Sequence, residues 1–246
     1  MPKFLEDEYA LLARVNRIDH SDIVTRFAYI YKYTTSHANL VYQIVKGSRD
    51  LSRIFDQEKV NITCIGGGPG SDFLGIFKYV MLAELRPILR CILFDKERNW
   101  GECWQDADEK IESDFRLSTI FQQFVVTDMS TVEHTSKYLN SDLFTMIYFM
   151  SEVYSLRTAS EPFFNNLFDK AKKGSLFLYI DNNSPVFYEW FDSFASQNSM
   201  DILKSQELEM NITDYDEEKK DLGEYWRKFT SPKLRANIAF RICRKN

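Results

Sequence analysis

Short apolar runs alternate with amphipathic segments from about residue 59 to the end of the chain. Most of the runs end in polar residues, and the segments between them repeat apolar positions every three or four residues. This alternation predicts strands joined by crossover helices, and therefore a mostly parallel sheet with helices on both faces. The first five predicted strands are Asn61–Ile65, Arg90–Asp95, Ile120–Val126, Leu143–Phe149 and Leu176–Ile180.

The amphipathic segments predict the helices that connect these strands. Their positions follow from the apolar spacing, and the fourth helix also has lysines in its last turn and a glycine after it. The predicted helices are Ser71–Leu82, Asn99–Glu112, Thr131–Leu139, Glu161–Lys172 and Val186–Phe194.

The pattern changes near the C-terminus. Ile202–Met210 and Ala236–Arg244 have the composition of strands, and only the charged segment Asp214–Lys233 lies between them. Because no apolar crossover helix joins them, we predict an antiparallel pair at one edge of the sheet. The chain contains no internal repeat and no Pro/Gly linker, so we interpret residues 1–246 as one domain with its sheet in residues 59–246.

Residues 1–58 are predicted to form a helical cap before the sheet. Ser21 and Asp22 suit the start of a helix. Its apolar positions share one face and are Ile23, Val24, Phe27, Ile30 and Tyr31. A second helical stretch follows, with a predicted break at residues 47–48. Residues 29–37 are dense in hydroxyl groups, and they are either packing residues with a wet edge or a lid over a pocket.

Composition and charge limit the possible functions. Hydrophobic residues make up 44% and charged residues 27% of the 246 residues, which is ordinary for a globular protein. The aromatic content of 15% favours a deep core or an aromatic-lined pocket. The net charge is −5, and no run of Lys or Arg exceeds two residues, which argues against a general nucleic-acid binder.

The four cysteines have no spacing typical of metal ligands, so we expect no metal site and interpret them as buried, reduced thiols. The N-terminal residues are charged and lack an apolar signal core, and no stretch approaches the roughly 20 apolar residues that span a bilayer. These features predict a soluble cytoplasmic protein without a membrane partner, with the nucleus as the alternative compartment.

The stretch Asn61–Asp72 predicts a strand, a glycine turn and the start of a helix. Gly66, Gly67, Gly68 and Gly70 fall within five residues, directly after an apolar run. Glycine lets the backbone approach a ligand closely, because a Cβ atom would occupy the space of the ligand. The following helix points its free N–H groups at the turn. The turn therefore predicts a binding site for a nucleotide-like ligand.

In a parallel sheet of this kind, ligands bind outside the carboxyl ends of the strands, beside the first strand. Asp95 ends the second strand, where it either accepts ribose hydroxyl groups or is a solvated strand-end acid. Asp128 either accepts an adenine amine or simply follows a strand, and Trp100 is either core or a stacking residue. Other polar residues expected at this edge are Thr127, Ser151, Glu152, Asp181, Asn182 and Asn183.

Residues 62–72 resemble the first motif of the class I S-adenosylmethionine-dependent methyltransferases, an apolar strand followed by G-x-G-x-G at Gly66, Gly68 and Gly70. Asp95 matches the ribose-binding acid of that family, and residues 127–128 match the position that faces adenine. The terminal antiparallel pair matches the family's strands six and seven. The resemblance covers about residues 61–246. It implies an α/β, Rossmann-like fold with a seven-stranded, mostly parallel sheet, a cofactor, S-adenosylmethionine, and methyl transfer.

The resemblance also implies which residues contact the cofactor. They lie in the glycine turn and at the strand ends: Gly66, Gly67, Gly68, Gly70, Asp72, Asp95, Lys96, Trp100, Thr127, Asp128, Met150 and Ser151. One position departs from the family pattern, because Cys64 stands where an acid usually lies two residues before the first glycine. Asp72, or the region of Tyr31 and Tyr33, is expected to compensate.

Methyl transfer requires an aligned acceptor, exclusion of water and, for a hydroxyl or ammonium acceptor, a base. Glu152 is the first candidate base and Asp181 the second, although Glu152 also suits the start of a helix. Residues expected to cover the acceptor are Tyr31, Tyr33, His37, Tyr154, Asn182 and Asn183. No Asn/Asp-Pro-Pro-aromatic sequence follows strand four, and no Cys lies at the ends of strands four and five. Amino methylation of adenine and covalent C5-pyrimidine chemistry therefore gain no support.

Several functions remain open at this point. The acidic pI and the aromatic-rich cap favour a small-molecule acceptor, and a ribosomal-type RNA acceptor is the alternative. Cys64 favours a third possibility, a non-catalytic partner subunit that keeps the fold. A nicotinamide-dependent oxidoreductase is the fourth possibility. It needs a third glycine where Ser71 stands and a helix after strand six, and the sequence shows neither.

Overall fold

The computed structural model describes residues 19–128, 130, 136–212, 223–229 and 231–246. Its centre is a seven-stranded sheet. The strands are β1 (Lys59–Ile65), β2 (Ile88–Asp95), β3 (Leu117–Gln123), β4 (Leu143–Ile147), β5 (Leu176–Asn182), β6 (Asp201–Asn211) and β7 (Arg235–Arg244). Their order across the sheet is β3-β2-β1-β4-β5-β7-β6. Strands β1 to β5 pair in parallel, and β7 pairs antiparallel with β5 and β6. The predicted sheet and its terminal antiparallel pair are confirmed.

Helices flank the sheet and precede it. They are α1 (Ile23–Tyr29), α2 (Thr35–Lys46), α3 (Arg49–Arg53), α4 (Ser71–Leu82), α5 (Trp100–Asp108), α6 (Phe149–Val153), α7 (Arg157–Lys170), α8 (Pro185–Gln197) and α9 (Glu224–Phe229). A π-helical turn, Ile30–Thr34, joins α1 to α2 without interrupting the helix. Among the described residues, no helix has the length and apolarity that a membrane crossing requires.

The central strands β1, β4 and β5 are buried on both faces, as their near-continuous apolar sequences predict. One core layer joins the strands to α2 and α4, with Leu40, Val41, Phe73 and Ile76 among its fully buried residues. The other layer joins the strands to α7 and α8 and is dominated by phenylalanines: Phe163, Phe164, Phe168, Phe191 and Phe194. Much of the high aromatic content therefore serves the core.

Several predicted boundaries differ from the structure. Strand β3 ends at Gln123 instead of Val126, so residues 127–128 do not directly follow a strand. Strand β5 continues through Asn182 because β7 pairs with it up to that residue. Helix α5 ends at Asp108, before the predicted Glu112, and α7 begins at Arg157.

The segments before β4 and β7 also differ from their sequence predictions. The charged segment before β7, predicted without a helix, contains α9. The predicted helix Thr131–Leu139 falls largely outside the described residues, and the part that the structure describes, Ser136–Asn140, is a 3₁₀ turn.

The described part of the cap, residues 19–58, is largely helical as predicted, and Asp22 is the N-cap of α1, since its side chain accepts the Thr25 N–H. The break at Gly47 is also present, and the Ser48 hydroxyl caps α3. The shared apolar face of α1, however, points largely toward solvent. Ile23, Val24 and Phe27 are 71%, 53% and 46% exposed. The face of α1 that is buried carries Arg26 and Ala28.

Candidate active site

The glycine turn lies at the carboxyl ends of β1 and β2, where the topology predicts a ligand site. The Gly67 N–H donates to the carbonyl oxygen of Phe94 at 2.9 Å, and the Gly70 N–H donates to that of Gly67 at 2.8 Å. Gly66, Gly68 and Gly70 have φ angles of 69°, 47° and 88°. The backbone path through the turn therefore uses the left-handed region, which favours glycine.

The individual glycines serve different purposes. A Cβ atom at Gly66 would lie 2.2 Å from the Phe149 ring, and one at Gly70 would lie 2.4 Å from the Trp104 ring. At Gly68 the nearest atoms would be Asp95 Oδ2 at 3.8 Å and Trp100 Nε1 at 3.9 Å. The absence of a side chain at Gly66 and Gly70 therefore makes room for the protein's own rings. At Gly68 a Cβ atom would make only ordinary van der Waals contacts, and contact of these glycines with a ligand stays a prediction.

Asp95 is joined to the glycine turn. Its Oδ2 accepts the Gly68 N–H at 3.0 Å, and its Oδ1 accepts the Glu97 N–H at 2.9 Å. Burial raises the pKa of Asp95 to about 6, against the effect of these hydrogen bonds. Each carboxylate oxygen has a further lone pair, so Asp95 retains the capacity to accept hydroxyl groups. Lys96, the next residue, is exposed.

Trp100 is buried and belongs to the contact between the sheet and the cap. Its ring lies 5.2 Å from the His20 ring and 5.5 Å from the Tyr29 ring. Thr127 and Asp128 lie in an exposed turn beyond β3, where Asp128 accepts the N–H and the hydroxyl group of Ser130. Trp100 thus adjoins Gly68.

Asp72 brings a buried carboxyl group beside Cys64. Its Oδ2 accepts the Thr145 hydroxyl at 2.6 Å, and Thr145 pairs with Cys64 across β4 and β1. Burial raises the pKa of Asp72 to about 7 and, together with Cys91 and Asp72, raises the pKa of the Cys64 thiol. An acid is therefore present next to position 64, although it comes from helix α4 and has almost no exposed surface.

The ends of β4 and β5 are tied together through Asp181. Its Oδ2 accepts the Ser151 N–H at 2.8 Å, and its Oδ1 accepts the Asn182 N–H at 2.7 Å. Asp181 has no exposed surface, and burial raises its pKa to about 6. These bonds orient the first turn of α6, in which Met150 is fully buried.

Glu152 follows in α6 and its side chain is exposed to solvent. Desolvation by the surrounding protein raises the pKa of Glu152. The negative charges of Asp95 and Asp181 act in the same direction, and the positive charge of Lys96 acts against them. Contact with water limits this increase. Glu152 therefore adds to a group of carboxyl groups around the ends of β2, β4 and β5.

The predicted lid residues divide into two groups. Tyr33 and His37 lie together, with ring centroids 5.5 Å apart, and His37 stacks on Tyr148 at 4.4 Å. The other four lie elsewhere. Tyr31 packs on Phe229, Tyr154 packs on Phe187 and Trp190, and Asn182 and Asn183 are exposed at the end of β5, where Asn183 bonds Asn237.

Sequence reasoning missed two residues of this cluster. Tyr148 follows β4 with φ of 57°, which is rare for an aromatic residue, and its hydroxyl accepts a hydrogen bond from Lys233 Nζ at 3.0 Å. Tyr148 lies within an apolar run that continues through Phe149 and Met150, so no local sequence signal points to it. Lys233 comes from the loop before β7, and nothing in its local sequence distinguishes it.

Comparison with known proteins identifies the fold. A methyltransferase from Methanosarcina mazei, described as S-adenosylmethionine-dependent, superposes with a TM-score of 0.51 at 11% identity, over 79% of this chain and 96% of that one. A proposed RNA methyltransferase from Pyrococcus horikoshii gives 0.50 at 13% identity, over 85% and 83%. A proposed class I methyltransferase from Listeria monocytogenes also gives 0.50, at 10% identity, over 84% and 59%.

No family model matches the sequence, and no curated protein matches it. The structural likeness, together with the strand order, shows that the chain has the fold of the class I S-adenosylmethionine-dependent methyltransferases.

Proposed function

We propose that the protein binds S-adenosylmethionine at the glycine turn and transfers its methyl group to an acceptor. The observation that carries this proposal is the bond from the Gly68 N–H to Asp95, at the point where β1 and β2 end. It joins a carboxyl group suited to ribose hydroxyls to the one glycine of the turn at which an added Cβ atom would meet no protein atom closer than 3.8 Å. When bound, the cofactor supplies a methyl group on a positively charged sulfur.

The charges of the site suit this cofactor. Asp95 and Asp181 have raised pKa values because they are poorly hydrated, and Glu152 adds a third carboxyl group. A cationic ligand stabilises the ionised form of such groups, and they in turn attract it. NAD carries negatively charged phosphates, which the same carboxyl groups would repel.

Glu152 and Asp181 take different roles in this proposal from those expected of general bases. Asp181 is buried and already accepts two N–H bonds, so we assign it the positioning of α6. The charged groups that act on Glu152 include Asp95 and Lys96, which lie on the ribose side of the site. We therefore propose that Glu152 contributes charge toward the cofactor. Its role as a base stays a prediction.

A small-molecule acceptor and an RNA acceptor both remain compatible with this site. The Pyrococcus protein is described as a proposed RNA methyltransferase, which supports the second. Tyr33, His37 and Tyr148 form an aromatic surface beside the site, which favours a planar acceptor of either kind. Asp72 beside Cys64 weakens the reason for considering a non-catalytic subunit.

Radiolabelled methyl transfer into fractionated cell extract tests the proposal. We expect the wild-type protein to label one fraction, and the Asp95→Ala variant to label it much less at limiting cofactor. Label lost after RNase identifies an RNA acceptor, label lost after protease a protein, and label retained in the small-molecule fraction a metabolite. Labelling that is equal in the Asp95→Ala variant would contradict the proposed site.

A further inference from the structure

A cluster of three rings and one lysine lies where the cap meets the ends of β4 and β5. Tyr148 and His37 stack at 4.4 Å with an interplanar angle of 23°, and both are buried. Tyr33 lies 5.5 Å from His37 and is only half-buried, as is Lys233. The first two residues thus form a floor, and the other two reach toward solvent.

Two backbone features hold these rings in place. Tyr148 adopts a left-handed conformation that costs an aromatic residue about 1 kcal/mol or more, and its N–H donates to the Ile180 carbonyl oxygen. Tyr33 belongs to the π-helical turn between α1 and α2, and such turns are frequent at functional sites. Strain and π-helical geometry therefore coincide at one cluster.

Lys233 is held at this cluster from two directions. Its backbone N–H donates to the Lys32 carbonyl oxygen, and its Nζ donates to the Tyr148 hydroxyl at 3.0 Å. The ammonium group lies 4.3 Å from the centroid of the Tyr148 ring and 5.9 Å from that of Tyr33. Burial lowers the pKa of Lys233 to about 8, an effect that Asp181 opposes and Lys32 reinforces. A fraction of Lys233 thus carries a neutral amine near neutral pH.

The cluster also contains a buried polar atom that suits a ligand. His37 Nε2 is buried and has no hydrogen-bond partner among the described residues. Burial and the charge of Lys233 lower the pKa of His37, so its imidazole is neutral. A cationic acceptor is disfavoured here, because the lysine ammonium already occupies the faces of the two tyrosine rings.

Resting on the proposed function, we propose that Tyr33, His37, Tyr148 and Lys233 form the acceptor half of the site, which takes a planar aromatic molecule bearing an acidic O–H or ring N–H. The lone pair of Lys233 Nζ takes the proton of that group and becomes an ammonium ion. The electron pair of the broken O–H or N–H bond stays on the acceptor, whose anion then bonds to the methyl carbon while the methyl–sulfur bond breaks and its electron pair neutralises the sulfur. The new ammonium ion stabilises that anion.

4-Nitrophenol is a suitable probe, because its ionised form is yellow and its neutral form is not. The full-length protein, without cofactor, is titrated into the probe at a pH slightly below the probe's own pKa. We expect the apparent pKa of the bound probe to fall by about one to three units, seen as an increase in the nitrophenolate band, because a cation adjoins it.

Variants separate the role of Lys233 from general effects. Lys233→Met is expected to lose the increase in the band, whereas Lys228→Met, which removes an exposed lysine of α9 paired with Glu224, is expected to keep it. Lys233→Arg keeps the charge but does not accept a proton, so it should retain the band of this acidic probe and lose methyl transfer to an acceptor whose own pKa lies above the working pH. Circular dichroism confirms that each variant is folded.

Two results would overturn the inference: no increase in the band with the wild-type protein, or an increase of equal size with folded Lys233→Met. Binding of S-adenosylmethionine is measured separately. A protein that binds the cofactor without shifting the probe contradicts this inference alone, and one that shifts the probe without binding the cofactor contradicts the proposed function alone.

Discussion

Among single residues, Asp72 makes the stability of the protein depend on pH. Its pKa is raised from 3.8 to about 7 in the folded protein. Folding therefore favours the protonated carboxyl group. The contribution of this group to the free energy of unfolding is fully present below about pH 4 and is lost as the pH rises through 7. The Asp72→Asn variant should gain stability relative to the wild type between pH 5 and pH 8, by at most about 3 kcal/mol.

Urea denaturation at the two pH values measures this difference. The control is Asp169→Asn, which changes an exposed carboxyl group of α7 and should follow the wild type at both values. An Asp72→Asn variant destabilised equally at both would show that the carboxyl group is not the source of the pH dependence.

Alanine substitution at two glycines of the turn should act on different properties, stability at Gly70 and cofactor binding at Gly68. Gly70→Ala forces a Cβ atom to 2.4 Å from the Trp104 ring at a positive φ, and should lower stability by about 2–4 kcal/mol. Gly68→Ala meets no protein atom closer than 3.8 Å, so it should lower stability by only about 1 kcal/mol, from its backbone. Its main effect should be weaker cofactor binding.

Thermal unfolding and calorimetry distinguish the two glycine variants. Gly68→Ala with unchanged cofactor affinity would mean that the ligand does not approach the turn at that residue.

Among the elements, β7 connects its neighbours through Arg241. Arg241 is 3% exposed. Its guanidinium group forms ion pairs with Asp192 of α8 at 3.1 Å and with Glu207 of β6 at 2.6 Å. We expect Arg241→Met to cost about 1–3 kcal/mol, because both carboxylates regain partial hydration but lose charged hydrogen bonds.

The matched control is Arg86→Met, whose partner Asp114 is 56% exposed, and which should cost less than about 1 kcal/mol. Chemical denaturation compares them. If Arg241→Met costs no more than the control, Arg241 does not hold these elements together.

The elements were more predictable from sequence than the site was. Strand periodicity and the glycine turn follow from local composition, so the order of strands and helices in the core is confirmed. The extension of β5 to Asn182 depends on pairing with β7, which is distant in the chain. The exposed apolar face of α1 and the position of Lys233 likewise depend on tertiary contacts that no local pattern encodes. At the site, Asp95 beside the turn was predictable because strand ends meet at one edge.

For the whole molecule, the carboxyl groups around the strand ends predict a charge-sensitive site. S-adenosylmethionine carries a cationic sulfur and its demethylated product a neutral one. Binding of the cation should lower the raised pKa values of Asp95 and Asp181, both about 6 in the free protein, and release protons near that pH. Calorimetry near pH 6 in two buffers of different ionisation enthalpy measures the protons released.

The demethylated product provides the control for that experiment. It should release fewer protons and bind less tightly, and Glu152→Gln should reduce the difference between the two ligands. Equal proton release with both ligands would contradict a role of these carboxyl groups toward the sulfur.

Calorimetric titration of the purified full-length chain with S-adenosylmethionine tests the central claim most directly. We predict one cofactor bound per chain, no binding of NAD, and affinity about 10–100-fold weaker in Asp95→Ala, since hydrogen bonds to a charged group contribute about 1.5–3 kcal/mol. No heat of binding at about millimolar cofactor, or an Asp95→Ala variant that binds as tightly as the wild type, would contradict the account.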